Sequence, residues 1–208
     1  MLLLLLALQN LQDPGPALDR ASATYQTIRT LSGEFTQIIT NPMIGAPDTT
    51  RGKLYQMRPS RFAMRFTHPR GDRIVADGRH LCLYTPSTTP GQVIRTTIPA
   101  ASTSGGPNFI GQFVERPRER YRARYVRSDS LAGRATDVVE LVPKTDDLPY
   151  AKAVVWIDRV DGLVRRIEIE ETSGQHRTLV LAKLAVNRGV PGREFIFSPP
   201  AGLRVVDQ

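Results

Sequence analysis

The stretch QMRPSRFAMRF, residues 56–66, alternates large apolar side chains with polar and basic ones. Successive side chains of a β-strand point to opposite faces of the sheet. One face of this predicted strand is therefore apolar and carries Phe62, Met64 and Phe66. The other face carries Arg61 and Arg65, and Arg58 stands ahead of the strand, next to a proline. The stretch predicts a strand with one buried face and raises the question of what covers that face.

The same alternation recurs along the chain from residue 34 onward. It predicts strands in these segments: 34–40, 52–57, 61–68, 73–85 (two strands joined by a turn), 92–98, 120–127, 135–143, 152–158, 163–171 and 177–186. Glycine-containing pairs that favour hairpin turns separate several of them: Asp77-Gly78, Asp161-Gly162 and Ser173-Gly174. The pattern predicts about 10–11 antiparallel strands.

Two segments have a helical period instead. Residues 17–31 place apolar side chains at steps of three and four, with Pro16 suited to the first turn and Gly33 to the exit. Residues 103–117 place four apolar side chains on one helical face: Phe109, Ile110, Phe113 and Val114. A long antiparallel sheet curls, and two helices are too few to cover a flat sheet of this size. The predicted fold is α+β, an unclosed antiparallel β-barrel with a helical lid over a hydrophobic cavity.

The charge balance admits several kinds of partner. Lysine and arginine number 28 against 20 acidic residues, so the net charge is +8 and the isoelectric point is about 10.1. Nucleic acid, anionic membranes and acidic proteins are all compatible with this charge. Arginines in the run 115–127 alternate with Tyr121, Ala123 and Tyr125, which favours a solvated strand face. The sequence has no nucleic-acid-binding motif, so nucleic acid is not an expected partner.

The first residues are typical of an export signal. Residues 2–8 are apolar and a polar stretch rich in proline and glycine follows. This apolar segment is far shorter than the ~20 residues that cross a bilayer, but it suits the core of a signal peptide. We expect residues 1–12 to be a signal peptide or a truncated leader, and residues 13–208 to form a single exported domain. Cys82, the only cysteine, is expected to be a small buried hydrophobe.

Residues suited to catalysis or metal binding are sparse. The histidines have neither a metal spacing nor a nucleophile motif beside them: His68, His80 and His176. Asp158, Asp161 and Gly162 fit a hairpin turn better than a calcium loop. Glu168 and Glu170 alternate with isoleucines, which favours a solvated strand face over a pair of catalytic carboxylates. We therefore predict that the protein is not an enzyme and uses no metal or cofactor.

Six segments share a pattern with one known family, in the same order along the chain. They are LSGEFTQ (31–37), YQMRPSRFAMRF (55–66), DRIVADGRHLCLYTP (72–86), VELVPK (139–144), VDGLVRRIEI (160–169) and FIFSPPAGLRVVD (195–207). The second contains an R-P-x-x-F block and the last an F-x-F-x-P-P-x-G signature. Together they resemble the LolA family, the periplasmic carriers of outer-membrane lipoproteins.

The resemblance implies an unclosed barrel whose apolar cavity binds the acyl chains of a lipoprotein. It implies a monomer with three partners: acylated lipoproteins, an inner-membrane lipoprotein-releasing ABC transporter and an outer-membrane lipoprotein receptor. It places the family's latch arginine, which bonds to backbone groups of the lid, on Arg58. It places the lid on residues 107–115, with Pro107, Phe109, Ile110, Phe113 and Val114. The predicted cavity lining comprises Phe35, Phe62, Met64, Phe66, Leu81 and Leu83.

Other interpretations of the sequence stay open. The same scaffold could bind free lipid or act as a sensor of the cell envelope. A hydrolase with serine, histidine and an acid converging in a lidded cleft would need no local motif. The apolar face of residues 62–66 could also fill an ordinary core, with Arg58 at a strand end on the surface.

Overall fold

The computed structural model of the chain describes residues 12–43, 45–98 and 110–208. All but the last residue of the predicted leader lie outside this part. Within the described residues, one sheet has twelve strands. They are β1 Thr30–Thr40, β2 Asp48–Met57, β3 Arg61–His68, β4 Arg73–Asp77, β5 His80–Tyr84, β6 Gln92–Thr97, β7 Tyr121–Leu131, β8 Arg134–Pro143, β9 Tyr150–Asp158, β10 Val164–Glu171, β11 His176–Val186 and β12 Arg204–Asp207.

The strand order is β12-β6-β5-β4-β3-β2-β1-β11-β10-β9-β8-β7. The end strands β12 and β7 do not pair with each other, so the sheet is unclosed. Every neighbouring pair among these described strands is antiparallel except β12 and β6, which run parallel. The predicted α+β fold with an unclosed antiparallel sheet is confirmed.

The predicted number of about 10–11 strands is one too low, because the prediction lacks β12. This strand spans only Arg204–Asp207 and follows two prolines, so its alternation is too short to recognise. Before it reaches β12, the chain crosses the face of the sheet that carries Ala63 and Val75, which we call the outer face. There a short 3₁₀ helix, Gly192–Phe195, places Phe195 against Ala63 and Val75.

Helix α1 spans Gly15–Thr27, which is shorter than predicted. The chain is extended at Ile28, and the predicted helical residue Leu31 lies in β1, as does the predicted exit Gly33. Leu31 is fully buried against the same core as the helix, so its spacing fits either element. The physical reason for the error is that a strand directly after a helix buries its side chains in the same place.

Two further helices of one turn each follow the gap after residue 98. Helix α2 spans Gly111–Val114 and α3 spans Pro117–Arg120. Residues 103–109 of the predicted helix 103–117 lie outside the described part of the chain. The described remainder is two short helices, because proline at the first position of α3 starts a new turn.

The predicted turns and the solvated arginine face are confirmed. The turn glycines have left-handed backbone angles, with φ of 102° at Gly78, 69° at Gly162 and 82° at Gly174. Arg122 and Arg124 are exposed on β7. Cys82 differs from its prediction, since it is only half-buried, on the outer face.

Candidate functional site

The six residues predicted to line a cavity all lie on one face of the sheet, which we call the inner face. The strand registers place these residues in rows that run across the sheet. In one row, Phe35 lies opposite Gly52, which lies opposite Phe66. In another row, Phe62 lies opposite Ala76, which lies opposite Leu81. Phe35, Phe62 and Met64 are buried, with at most 5% of their surface exposed. The other three are half-buried: Phe66, Leu81 and Leu83. The alternation in residues 61–66 therefore correctly predicted that Phe62, Met64 and Phe66 share one face of the sheet.

Gly52 allows two aromatic rings to meet on this face. The rings of Phe35 and Phe66 lie on either side of it, edge to face, with centroids 5.1 Å apart. A Cβ atom at Gly52 would lie 2.1 Å from the carbonyl oxygen of Arg65 and 2.8 Å from the Phe35 ring. Glycine is thus required here for strands β1 to β3 to present a continuous aromatic surface.

Helix α2 covers the inner face. Its residues Phe113 and Val114 are fully buried and Ile110, just before it, is 2% exposed. All three belong to the same apolar cluster as Phe35, Phe62 and Met64. The described part of the lid predicted at 107–115 therefore shares one apolar core with the predicted cavity wall, whereas Pro107 and Phe109 lie outside the described residues. In this arrangement the side chains of α2 occupy the space above the wall.

Arg58 lies where α1, α2 and the sheet meet. Its Nη2 donates to the carbonyl oxygen of Tyr25 at 2.8 Å and forms an ion pair with the carboxylate of Glu115, directly after α2. Tyr25 is in the last turn of α1, where free carbonyls carry the negative end of the helix dipole. The resemblance implied bonds from this arginine to the lid backbone. The described contacts reach the backbone of α1 and a side chain at the end of α2.

A second attachment of α2 was not predicted from the sequence. The hydroxyl of Tyr121 donates to the carbonyl oxygen of Gln112 at 3.0 Å, and Arg120 donates to the same oxygen at 3.1 Å. The hydroxyls of Tyr121 and Tyr150 lie 2.7 Å apart, and both rings contact Phe113. Burial raises the pKa of Tyr121, so it stays a neutral donor. Helix α2 is thus attached to β7 and β9 as well as to Arg58.

Helix α1 is attached through a network of arginines and aspartates. Arg20 pairs with Asp137 at 2.6 Å and also donates to the backbone of Asp158, at 3.4 Å. The carboxylate of Asp158 is fully buried and binds Arg134 and Arg165. Removing one partner of a buried ion pair strongly destabilises a protein, because the other charge stays buried without its partner. The network therefore fixes α1 to the turn between β9 and β10.

A recess of about 310 Å³ opens beside α2. It is lined by Gln112, Pro149, Tyr150, Ile169, Glu171 and Arg177. Two of these residues, Gln112 and Tyr150, belong to the second attachment of the helix. An apolar chain that enters the recess would therefore contact the helix that covers the inner face.

The described residues show neither a metal site nor a membrane span. No group of three or more histidine, cysteine, aspartate or glutamate side chains in this part of the chain could bind a metal ion. No helix within it is long and apolar enough to cross a membrane.

The structure defines a class of protein by its fold, an unclosed antiparallel sheet whose apolar face shares its core with short helices. The comparison with known sequences gives the particular family. The sequence profile described as "Outer membrane lipoprotein carrier protein LolA" matches residues 26–198. The chain belongs to the LolA family.

Curated relatives carry the same name. An outer-membrane lipoprotein carrier protein from Albidiferax ferrireducens is 27% identical over 195 residues, which cover 88% of this chain and 87% of the relative. The carrier protein of Dechloromonas aromatica is 26% identical over 200 residues, covering 92% and 88%. These relatives are named as carriers, and a carrier is not an enzyme.

Solved structures share the fold at lower identity. An uncharacterised conserved protein from Thermus thermophilus matches with a TM-score of 0.58 and 11% identity, covering 95% of this chain and 100% of the other. The Pseudomonas aeruginosa MucA/MucB complex matches with a TM-score of 0.53 and 16% identity, covering 94% of this chain and 64% of the other. At these identities the likeness shows the fold alone.

Proposed function

We propose that this protein is a periplasmic carrier that binds the acyl chains of lipoproteins on its inner face. In this proposal it receives them from an inner-membrane ABC transporter and delivers them to an outer-membrane receptor. The observation that supports it most directly is that α2 and the predicted cavity wall share one apolar core. Apolar side chains of a helix of only four residues belong to the cluster that includes the apolar sheet face.

Exchange of one apolar surface for another explains how such a carrier works without an energy source of its own. Each methylene removed from water is worth about 0.8 kcal/mol, so free acyl chains are strongly unfavourable in an aqueous compartment. Burying one large apolar side chain of the lid is worth about 1.5–3 kcal/mol. Acyl chains that displace Ile110, Phe113 and Val114 replace this contact with a similar one. Loading and release are then close to balanced, and the partners set the direction.

Arg58 would act as the latch of the empty carrier. It joins α1 to the end of α2 through one carbonyl and one carboxylate, and both side chains of the ion pair are partly exposed. Exposed ion pairs contribute only about 0–1 kcal/mol. A latch of this strength closes the lid over an empty inner face and yields when acyl chains enter.

Two substitutions test the proposal. Phe62→Glu places a charge on the buried inner face and should abolish loading of acylated lipoprotein. Val160→Glu, at a position 84% exposed and outside the inner face, is the matched control and should load normally. Arg58→Leu should load but fail to hand its cargo to the receptor, because the unlatched lid no longer displaces the acyl chains. Normal loading by Phe62→Glu would remove Phe62 from the site.

Cargo identity separates this proposal from its alternatives. The protein is purified from the envelope of its host and the mass of the bound material is measured. Acylated protein is the expected result. Free lipid instead would point to a lipid-binding or envelope-sensing protein on the same scaffold and would overturn the carrier proposal.

A further inference from the structure

The outer face of the sheet carries a row of cations on neighbouring strands. Lys53 on β2 lies directly opposite Arg65 on β3, and Arg65 lies directly opposite Arg73 on β4. Directly opposite residues of an antiparallel pair have Cβ atoms about 4.5–5.5 Å apart, and like charges in these positions are destabilising. Arg51 extends the row along β2, on the same face as Lys53. The fold therefore keeps an arrangement that is unfavourable without a counter-ion.

Carboxylates neutralise only part of this row. Arg65 lies 2.7 Å from Glu194, and Glu34, the neighbour of Lys53 on β1, pairs with Lys183 at 3.0 Å. Among the described residues, no carboxylate lies within ion-pair distance of Arg51, Lys53 or Arg73. A positive potential thus remains at one end of the outer face.

A recess lies beside the row, at an irregularity of the sheet. The register between β2 and β3 shifts between Arg51 and Gly52, which leaves Thr67 as the extra residue of β3. The recess has a volume of about 310 Å³, and its lining includes Arg51, Lys53, Thr36, Thr67 and Glu34, whose carboxylate is paired with Lys183. The Thr67 hydroxyl donates to the carbonyl oxygen of Arg51, so the two cationic side chains and the Thr36 hydroxyl are the donors suited to a phosphate group.

We propose that this recess and the cationic row bind the phosphate headgroups of anionic phospholipids, so that the outer face docks on a membrane surface. An exposed apolar side chain lies near the cations: Ile196, 64% exposed, follows the 3₁₀ helix that carries Glu194, the partner of Arg65. Tyr84, opposite Arg73, is half-buried against Phe197. Cations beside exposed apolar groups are typical of proteins that lie on a bilayer. The cations of this site lie on the outer face, whereas the recess also contacts Phe35 and Gly52 of the inner face.

Vesicle binding of the full chain tests the proposal. Vesicles of phosphatidylcholine alone are compared with vesicles of equal parts phosphatidylcholine and phosphatidylglycerol. Binding to the anionic vesicles only is expected. Raising the ionic strength from about 0.1 M to 1 M shortens the screening length from about 10 Å to 3 Å, so this binding should be lost. Equal binding to both kinds of vesicle would overturn the proposal.

Charge reversal locates the site. Each cation near an anionic membrane contributes about 1 kcal/mol, so Arg51→Glu with Lys53→Glu should weaken vesicle binding at least tenfold. The control, Arg122→Glu with Arg188→Glu, changes the net charge equally at exposed positions elsewhere and should keep its binding. An equal loss of vesicle binding in the control would show that binding depends on net charge alone, and it would contradict the proposal. Displacement of the protein by inorganic phosphate at constant ionic strength would show a free-phosphate site instead.

The same variants separate this proposal from the carrier function. All four positions are exposed, so we expect unchanged thermal unfolding. Arg51→Glu with Lys53→Glu should still load acylated lipoprotein. Loss of vesicle binding with normal loading supports the docking site. Retained vesicle binding overturns it and leaves the carrier proposal intact.

Discussion

Helices α1 and α2 cover the same apolar face and are attached to the sheet in different ways. Helix α1 has 13 residues, four buried apolar side chains and an ionic network that includes a fully buried aspartate. Helix α2 has four residues, and its polar attachments include Arg58 with Glu115 and Tyr121 with Gln112. In the carrier proposal, α1 belongs to the fixed frame, and the much shorter α2 is the part that cargo would displace.

Asp158→Ala should loosen the turn between β9 and β10, to which α1 is attached, and has the largest expected effect. It removes one of the two carboxylates shared by Arg134 and Arg165, which is only 9% exposed, and leaves Asp161 as the other. Removing one member of a buried ion pair costs about 3–5 kcal/mol, measured here as the free energy of unfolding in urea, and the lower end is expected because Asp161 stays. Glu170→Ala, which removes an exposed pair with Lys152, is the control and should cost at most about 1 kcal/mol. Equal small losses would show that the buried carboxylate does not stabilise this turn.

Acid should weaken the ion pairs of the Asp158 carboxylate, with a smaller effect than the alanine substitution. Burial raises the pKa of Asp158, but this is outweighed by hydrogen bonds from Arg134 and the amides of Val160 and Asp161 and by the charge of Arg165, which lower it to about 2. The folded pKa lies below the unfolded value of about 3.9, so this stabilisation is complete above about pH 4 and lost as the pH falls through 2.

The check on this pH dependence is unfolding free energy against pH for the wild-type protein and for Asp158→Asn. The curves should be parallel above pH 4 and should converge below it. A difference that disappears already near pH 6 would contradict the assignment to Asp158.

Gly162→Ala tests how closely α1 approaches the turn between β9 and β10. A Cβ atom there would lie 2.5 Å from Oγ1 of Thr24 and 2.9 Å from the carbonyl oxygen of Arg20. Gly174→Ala is the matched control, because it has a similar positive φ and no atom within 4 Å. Overpacking should make Gly162→Ala about 1–3 kcal/mol more destabilising than the control. Equal losses would show that backbone conformation alone requires glycine.

Tyr121→Phe tests the attachment of α2 to β7 and has the smallest expected effect of these substitutions. It removes the hydrogen bond to Gln112 and keeps the ring against Phe113. One hydrogen bond is worth about 1 kcal/mol, so exchange of the α2 amides of Phe113 and Glu115 should speed up roughly fivefold. Amides of the central strands should not change. Tyr84→Phe on the outer face is the control, and the same acceleration in both variants would refute the attachment.

Alternation and turn glycines were sufficient to predict eleven of the strands and the inner face of β3. They could not predict β12, because a parallel pairing after a long crossover leaves no local pattern. They also extended α1 to Leu31, since the spacing of Ile28 and Leu31 fits a helix and the true strand start equally well. Local sequence therefore determined which residues are buried better than it determined where one element ends.

The attachments of the two helices were largely beyond sequence reasoning. Asp158 and Asp161 were assigned to a turn, which is correct, but their partners Arg20, Arg134 and Arg165 are spread over the chain. The contact between Tyr121 and Tyr150 depends on the curvature of the sheet, which alternation does not specify. Arg58 was singled out by family resemblance, and its described partners became visible only in three dimensions.

The parallel pairing of β12 with β6 affects how the molecules meet one another. An unclosed sheet has two free margins, and unpaired margins of long strands lead to polymerisation. Strand β12 shields β6 with a strand of only four residues, and β7, the opposite margin, carries exposed Arg122, Arg124 and Arg127. The short strand at one margin and the charged side chains at the other discourage edge-to-edge pairing between molecules, so the sheet can stay unclosed without polymerising.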